Sequence, residues 1–371
     1  MAGVQTGGPS DRREQMVIRG KQSERPATRS WLLHRILIGL AFSLPVTAQQ
    51  TIKPIPPSPP GKLVDIGDHR LHVNCTGKGK PTIVMESGAG DFSFDWSLVQ
   101  PAVAKFARVC TYDRAGYAWS EAGPTPRTMQ QIVYELHTGL NNAGIKSPYV
   151  LVGHSLGGLI VRLYANQYPK EIAGMVLVDS SHEDQSIVIV DRTTKKEKVV
   201  HWRELASGRT IPPVKTTLPR PAVPNASQRA TRSSQSALDA PYDKLPLKEQ
   251  QMHLWAMSQP SYEEAGSSET FEFLADELAR IYSERSTRKY SLGDIPLIVL
   301  TRGIAGEDEQ ANRRLFEEHD RLQVDLLSLS TNSKQIIAKH SGHHVQLEEP
   351  ALVIDAIKEV VNAVRRKTKL R

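Results

Sequence analysis

Apolar positions along this chain recur in short runs whose spacing switches between two periods. Leu63–Ile66 and Arg70–Cys75 alternate apolar and polar residues on either side of Gly67-Asp68, which predicts a β-hairpin. Thr82–Met85, Arg108–Tyr112, Tyr149–Val152, Met175–Val178, Leu297–Leu300 and Gln335–Ala338 are runs of strand length with little alternation. That pattern predicts strands covered on both faces. Helix-compatible segments separate most of them: Trp96–Phe106, Met129–Asn142, Leu159–Tyr168 and Ala351–Val364. An opening hairpin followed by alternating strands and helices predicts an α/β fold with a mostly parallel sheet. No internal repeat is visible.

The alternation breaks between His182 and Ser291. A polar segment, Arg192–Arg232, carries ten basic residues against Glu197 and Glu204, and helical patterns follow at Leu245–Met257 and Phe271–Tyr282. A stretch this long without core pattern reads as a helical cap, residues 182–291, inserted between core segments 63–181 and 292–371. Its basic half offers contact with an anionic substrate or a membrane surface. A solvated loop pairing with the acidic half is the simpler expectation.

Before the core, Lys53–Gly61 (KPIPPSPPG) reads as an extended polyproline tether within a linker, residues 49–62. Residues 1–48 read as an export signal. A basic lead precedes the apolar Ile36–Val46, and Val46-Thr47-Ala48 suits cleavage near Ala48. The apolar stretch falls short of the roughly 20 residues that span a bilayer. The long basic lead leaves other readings open: a start at Met16, an organelle-targeting segment, or an uncleaved membrane-associated N-terminus.

Net charge is +7, and four of those seven charges lie in residues 1–48. The remainder is too weak to argue for nucleic acid, and no recognition motif supports it. Hydrophobic residues make up 39% of the chain, ordinary for a soluble protein. Cys75 and Cys110 are the two cysteines. They read either as a disulfide of an exported protein or as two buried thiols. Neither has a partner at metal-ligand spacing, so no metal site is expected.

The chemistry concentrates in Ser147–Leu163. A β-branched run stops at Gly153, Ser155 stands between Gly153 and Gly157, and a helical pattern follows. This is G-x-S-x-G in a strand–turn–helix context, which projects a nucleophilic serine above a sheet edge. A serine hydroxyl needs a base, and histidine serves near neutral pH. His343, in the turn Ser341-Gly342-His343-His344-Val345 before the last helix, has the place and chain order for it, ahead of His340, His344 and His253. Glu86-Ser87-Gly88-Ala89-Gly90 directly follows a strand, so the Ala89 and Leu156 N–H groups are the expected oxyanion donors. The orienting acid has two places, after Met175–Val178 or after Leu297–Leu300. Asp179 sits directly at the first strand end. Asp308 and Glu307 follow the second only after a loop, so Asp179 is the expected acid.

ESGAG (86–90), YDRAGYAWS (112–120), GHSLGG (153–158), LVDSSHEDQ (177–185) and SGHHVQLEEP (341–350), in this order, resemble the α/β-hydrolase superfamily. The resemblance covers about residues 63–181 and 292–371. It implies an eight-stranded sheet with the second strand antiparallel, a cap after the sixth strand, and no cofactor. In that strand order Cys75 and Cys110 lie on neighbouring strands, which favours the disulfide. The usual acid position after the seventh strand holds no carboxylate here, which leaves Asp179 as a sixth-strand acid. Serine at 155 argues against relatives that attack with a carboxylate. The expected activity is hydrolysis of a small-molecule carboxylic ester through an acyl-enzyme. Alternatives are an acyltransferase or cofactor-free haloperoxidase on the same triad, or a non-catalytic ligand receptor on the scaffold. Oligomeric state is not legible.

Overall fold

The computed structural model describes residues 57–190, 196–215, 238–287, 292–306 and 313–370. The targeting segment 1–48, most of the linker and the alternative acids Glu307 and Asp308 lie outside the described residues. The core is an eight-stranded sheet in the order β1-β2-β4-β3-β5-β6-β9-β10. Its strands are β1 (Lys62–Asp65), β2 (Arg70–Thr76), β3 (Thr82–Glu86), β4 (Val109–Tyr112), β5 (Tyr149–His154), β6 (Ile172–Val178), β9 (Leu297–Arg302) and β10 (Ser333–Ala338). β2 runs antiparallel to both neighbours, and β4 through β10 pair in parallel. The hairpin turns at Gly67, whose φ of 116° only glycine adopts readily.

Both faces of the central strands are buried, which is why they read as continuous apolar runs. Val84, Leu151, Met175, Leu177, Leu297 and Val299 face one core with α2 (Met129–Asn142) and α3 (Leu156–Gln167). Ile83, Met85, Val150, Val152, Val176, Ile298 and Leu300 face the other. There they meet α1 (Gln100–Val103) and α9 (Pro350–Arg366). Thr128 caps α2, its hydroxyl accepting from the Gln131 N–H at 3.2 Å. Cys75 and Cys110 are opposed residues of β2 and β4, and they form a disulfide.

Between β6 and β9 the chain departs from the expected helical cap. Ser186–Val190 and Glu197–His201 form an antiparallel strand pair, β7 and β8, in place of the expected loop. Helices α4 (Leu247–Met257), α5 (Pro260–Ser267) and α6 (Leu274–Ser286) follow. Two of the described basic residues form ion pairs: Arg203 with Asp184, and Arg209 with Asp276 of α6 at 3.3 Å. A further unexpected helix, α7 (Arg313–Asp325), lies between β9 and β10, and a short turn, α8 (Val345–Glu348), precedes α9. Among the described residues no helix is long and apolar enough to cross a membrane.

Candidate active site

Ser155 joins β5 to α3 at φ 51° and ψ −122°, a strained conformation for a residue with a side chain. The flanking glycines permit it. A Cβ on Gly153 would stand 2.5 Å from the Gly157 carbonyl oxygen, and one on Gly157 would stand 2.6 Å from that of Glu86. The start of α3 therefore abuts the base of the loop after β3. The Ser155 N–H donates to the Val178 carbonyl at 3.2 Å, and its own carbonyl accepts from Ser181 at 3.0 Å. The elbow is thus bonded to the end of β6, where Asp179 begins the next loop.

Asp179 is fully buried and also has positive φ, at 40°. Its N–H donates to the Leu300 carbonyl at 2.7 Å, holding the residue against β9. The His343 ring lies with Nδ1 2.6 Å from Asp179 Oδ2. Arg302, the last residue of β9, donates its backbone N–H to Oδ1 at 3.0 Å and its guanidinium to Oδ2. His319 of α7 places Nε2 3.1 Å from Oδ1. Burial alone would raise this carboxyl's pKa, but the Arg302 charge and the His319 and His343 bonds hold it well below the usual carboxylate range.

His343 follows β10 in the turn before α8, and its side chain is 40% exposed. With Nδ1 engaged by Asp179, Nε2 is the ring nitrogen left to act as a base. Its packed inner side lowers its pKa below the ordinary histidine value, while the Asp179 bond opposes that shift. Ser155, Asp179 and His343 thus follow the carboxyl ends of β5, β6 and β10, with β9 between the last two strands.

Ala89 is exposed in the glycine loop after β3, and Leu156 is the first residue of α3. First-turn N–H groups of a helix have no intrahelical acceptor, and the Leu156 N–H is one of these. The loop is held from below by Arg114. Its guanidinium donates to the Ser87 carbonyl at 2.9 Å, the Gly88 carbonyl at 2.7 Å and Glu86 at 2.8 Å. Its Nε reaches Glu269 of the cap at 3.1 Å. Burial pushes the Glu86 carboxyl up to about 7, with the Arg114 charge opposing.

Asp91, His154 and His344 offer three potential metal-ligand atoms, all within 4.8 Å of one another. They also bond to their surroundings. Tyr242 of the cap donates its hydroxyl to Asp91 Oδ1 at 2.6 Å and lies 2.9 Å from His344 Nε2. Burial drives the His344 ring down to about 3, with the neighbouring histidines adding and Asp91 opposing.

Sequence reasoning missed Arg302, His319, Arg114, Asp91 and Tyr242. Arg302 stands at the strand end already singled out for an acid, and Asp91 directly follows the glycine loop. His154 was in plain view inside G-H-S-L-G. His319 required α7, whose apolar Leu315 and Leu322 are outnumbered by charges.

Residues 81–217 match the family model described as the alpha/beta hydrolase fold. A stretch 38% identical over 129 residues is shared with a probable transporter of Hormonema carpetanum, covering 33% of this chain and 18% of that one. The uncharacterized protein YqjL of Bacillus subtilis is 27% identical over 288 residues, covering 76% of this chain and 85% of that one. Among solved structures, an esterase from Thermogutta terrifontis superposes with a TM-score of 0.53 at 17% identity, over 80% of this chain and 94% of that one. A meta-cleavage product hydrolase of Pseudomonas fluorescens gives 0.55 at 17% identity, over 81% and 97%. Sheet order, strand directions and these likenesses define one class. The chain has the α/β-hydrolase fold.

Proposed function

We propose that the protein is an exported serine esterase that cleaves a small carboxylic ester through an acyl-enzyme on Ser155. The observation that carries this reading is the 2.6 Å contact between Asp179 and His343, made beside the strained turn that presents Ser155. His343 Nε2 takes the proton as Ser155 Oγ attacks the carbonyl carbon, and buried Asp179 stabilises the imidazolium that forms. The oxyanion of the tetrahedral intermediate accepts from the Ala89 and Leu156 N–H groups. The intermediate collapses as His343 gives its proton to the leaving alkoxide. Water then attacks the acyl carbon, again with His343 as base, and releases the acid and free Ser155.

The Cys75–Cys110 disulfide supports an oxidising compartment, in keeping with a signal cleaved near Ala48. The basic part of the cap is left as a weak membrane-surface contact. The test is pre-steady-state hydrolysis of p-nitrophenyl butyrate. A burst of nitrophenol near one equivalent, abolished in Ser155→Ala, is expected; turnover undiminished in that variant defeats the reading. For export, the mature chain begins near Gln49, and an intact Met1 or Met16 in the exported fraction refutes cleavage.

A further inference from the structure

We propose that Glu269 of the cap is a positioning residue that, acting through Arg114, aims the Ala89 N–H at the oxyanion. The inference rests on reading Ala89 as an oxyanion donor in ester cleavage on Ser155. Glu269 is buried and lies in Ser268–Glu272, a π-helical turn between α5 and α6. Turns of that kind are rare and recur at functional sites. Its carboxylate accepts from the Arg114 Nε at 3.1 and 3.2 Å and from the Tyr117 hydroxyl at 2.9 Å. Arg114 follows β4 by two residues, and it and both its carboxylate partners, Glu86 and Glu269, are buried. A planar guanidinium held at Nη1 by one carboxylate and at Nε by another has its orientation fixed.

That orientation is passed on through one peptide unit. Arg114 Nη2 donates to the Gly88 carbonyl at 2.7 Å, and the Asp91 N–H shares that acceptor at 3.2 Å. The Gly88 carbonyl and the Ala89 N–H belong to the same planar peptide, which is trans, so the two point in opposite directions. Holding the carbonyl against Arg114 therefore turns the N–H away from Arg114, at a residue that is exposed. Tyr262 of α5 donates to the Gly90 carbonyl at 3.2 Å, so the cap grips the loop on both sides of Ala89. Ser268, in the same turn as Glu269, accepts from the Arg127 N–H at 2.8 Å, which ties the turn to the core. Without Glu269, the buried guanidinium keeps its bonds to Glu86 and Gly88 only by leaving its Nε–H without that acceptor, which is costly. The Ala89 half of the oxyanion site thus depends on a seated cap, whereas the Leu156 half depends on the elbow alone.

Two variants separate reach from charge. Glu269→Gln keeps the length and an acceptor oxygen for Arg114, whereas Glu269→Asp keeps the charge and withdraws it by one carbon. In ¹⁵N-alanine-labelled protein the Ala89 amide resonance, assigned by its loss in Ala89→Gly, reads the peptide without any substrate. It is expected to be displaced in Glu269→Asp and close to wild type in Glu269→Gln. In hydrolysis of p-nitrophenyl butyrate Glu269→Asp loses about tenfold or more in kcat with KM little changed, and Glu269→Gln recovers most of it. Arg114→Lys cannot reach Glu269 and the Gly88 carbonyl together. It is expected to displace the same resonance, and it stands in for Glu269→Asp if that variant does not fold. An unmoved Ala89 resonance, or equal kcat in the two Glu269 variants, overturns the proposal, since a carboxylate that only seats the cap distinguishes neither. If wild type hydrolyses no ester yet the resonance shifts as expected, the esterase reading fails and the hold of the cap on the loop stands.

Discussion

Asp179 receives more donors than an orienting carboxylate needs, and the surplus explains its place in the chain. Arg302 occupies the strand end where the family resemblance would put an acid, and its guanidinium turns to the neighbouring strand's carboxylate. His319 completes the shell. Asp179→Asn keeps the shape but presents a donor where groups of Arg302, His319 and His343 converge, and it is expected to lower kcat about 10³- to 10⁴-fold in ester hydrolysis. A loss under about tenfold would remove Asp179 from the acid role. The pH dependence has a definite sign. A base must be neutral, and the His343 pKa is lowered, so activity is present above that value and lost as pH falls through it. The acid limb of kcat/KM is expected below about pH 6.5, the ordinary histidine value; a limb at or above 6.5 contradicts the assignment. Local motifs mark the proposed nucleophile Ser155 and the proposed base His343 in the sequence. Arg302 and His319 were not legible, because what defines them is a carboxylate far away in sequence.

Among the elements, the core strands were legible to within a few residues, since burial on both faces leaves a continuous apolar run. β7 and β8 were not. β7 is a short apolar stretch, Ser186–Val190, just ahead of the basic segment, and its partner β8, Glu197–His201, lies inside that segment, where charges hide the strand pattern. The cap is tied to the core by buried charge as well as by apolar contact. Glu183 accepts from Arg162 of α3 at 2.8 and 3.0 Å and from Arg285 of α6 at 2.9 Å. Glu183→Gln leaves two guanidiniums facing an uncharged amide and is expected to cost about 3 kcal/mol or more, read from the urea midpoint. A cost under about 1 kcal/mol would mean that apolar packing alone seats α6.

For the whole molecule, motif order indicated the α/β-hydrolase fold, but the residues alone left the cysteines undecided. The sheet decides them, because β2 runs beside β4 and places Cys75 opposite Cys110. The bridge closes a 35-residue separation, so reduction is expected to remove about 3 to 4 kcal/mol, seen as a lower Tm in dithiothreitol. An unchanged Tm with both thiols free contradicts that. Substrate choice was the least legible property, because the cap that would shape a pocket carries no motif. The central claim, a nucleophile at Ser155 activated by His343 and Asp179, is open to one direct measurement. Wild-type protein is treated with a fluorophosphonate, and the adduct is mapped by peptide mass. The account predicts a single adduct on Ser155, formed at least a hundredfold more slowly in His343→Ala, by about the scale of general-base catalysis. An unlabelled wild type, or an adduct on another residue, would contradict it.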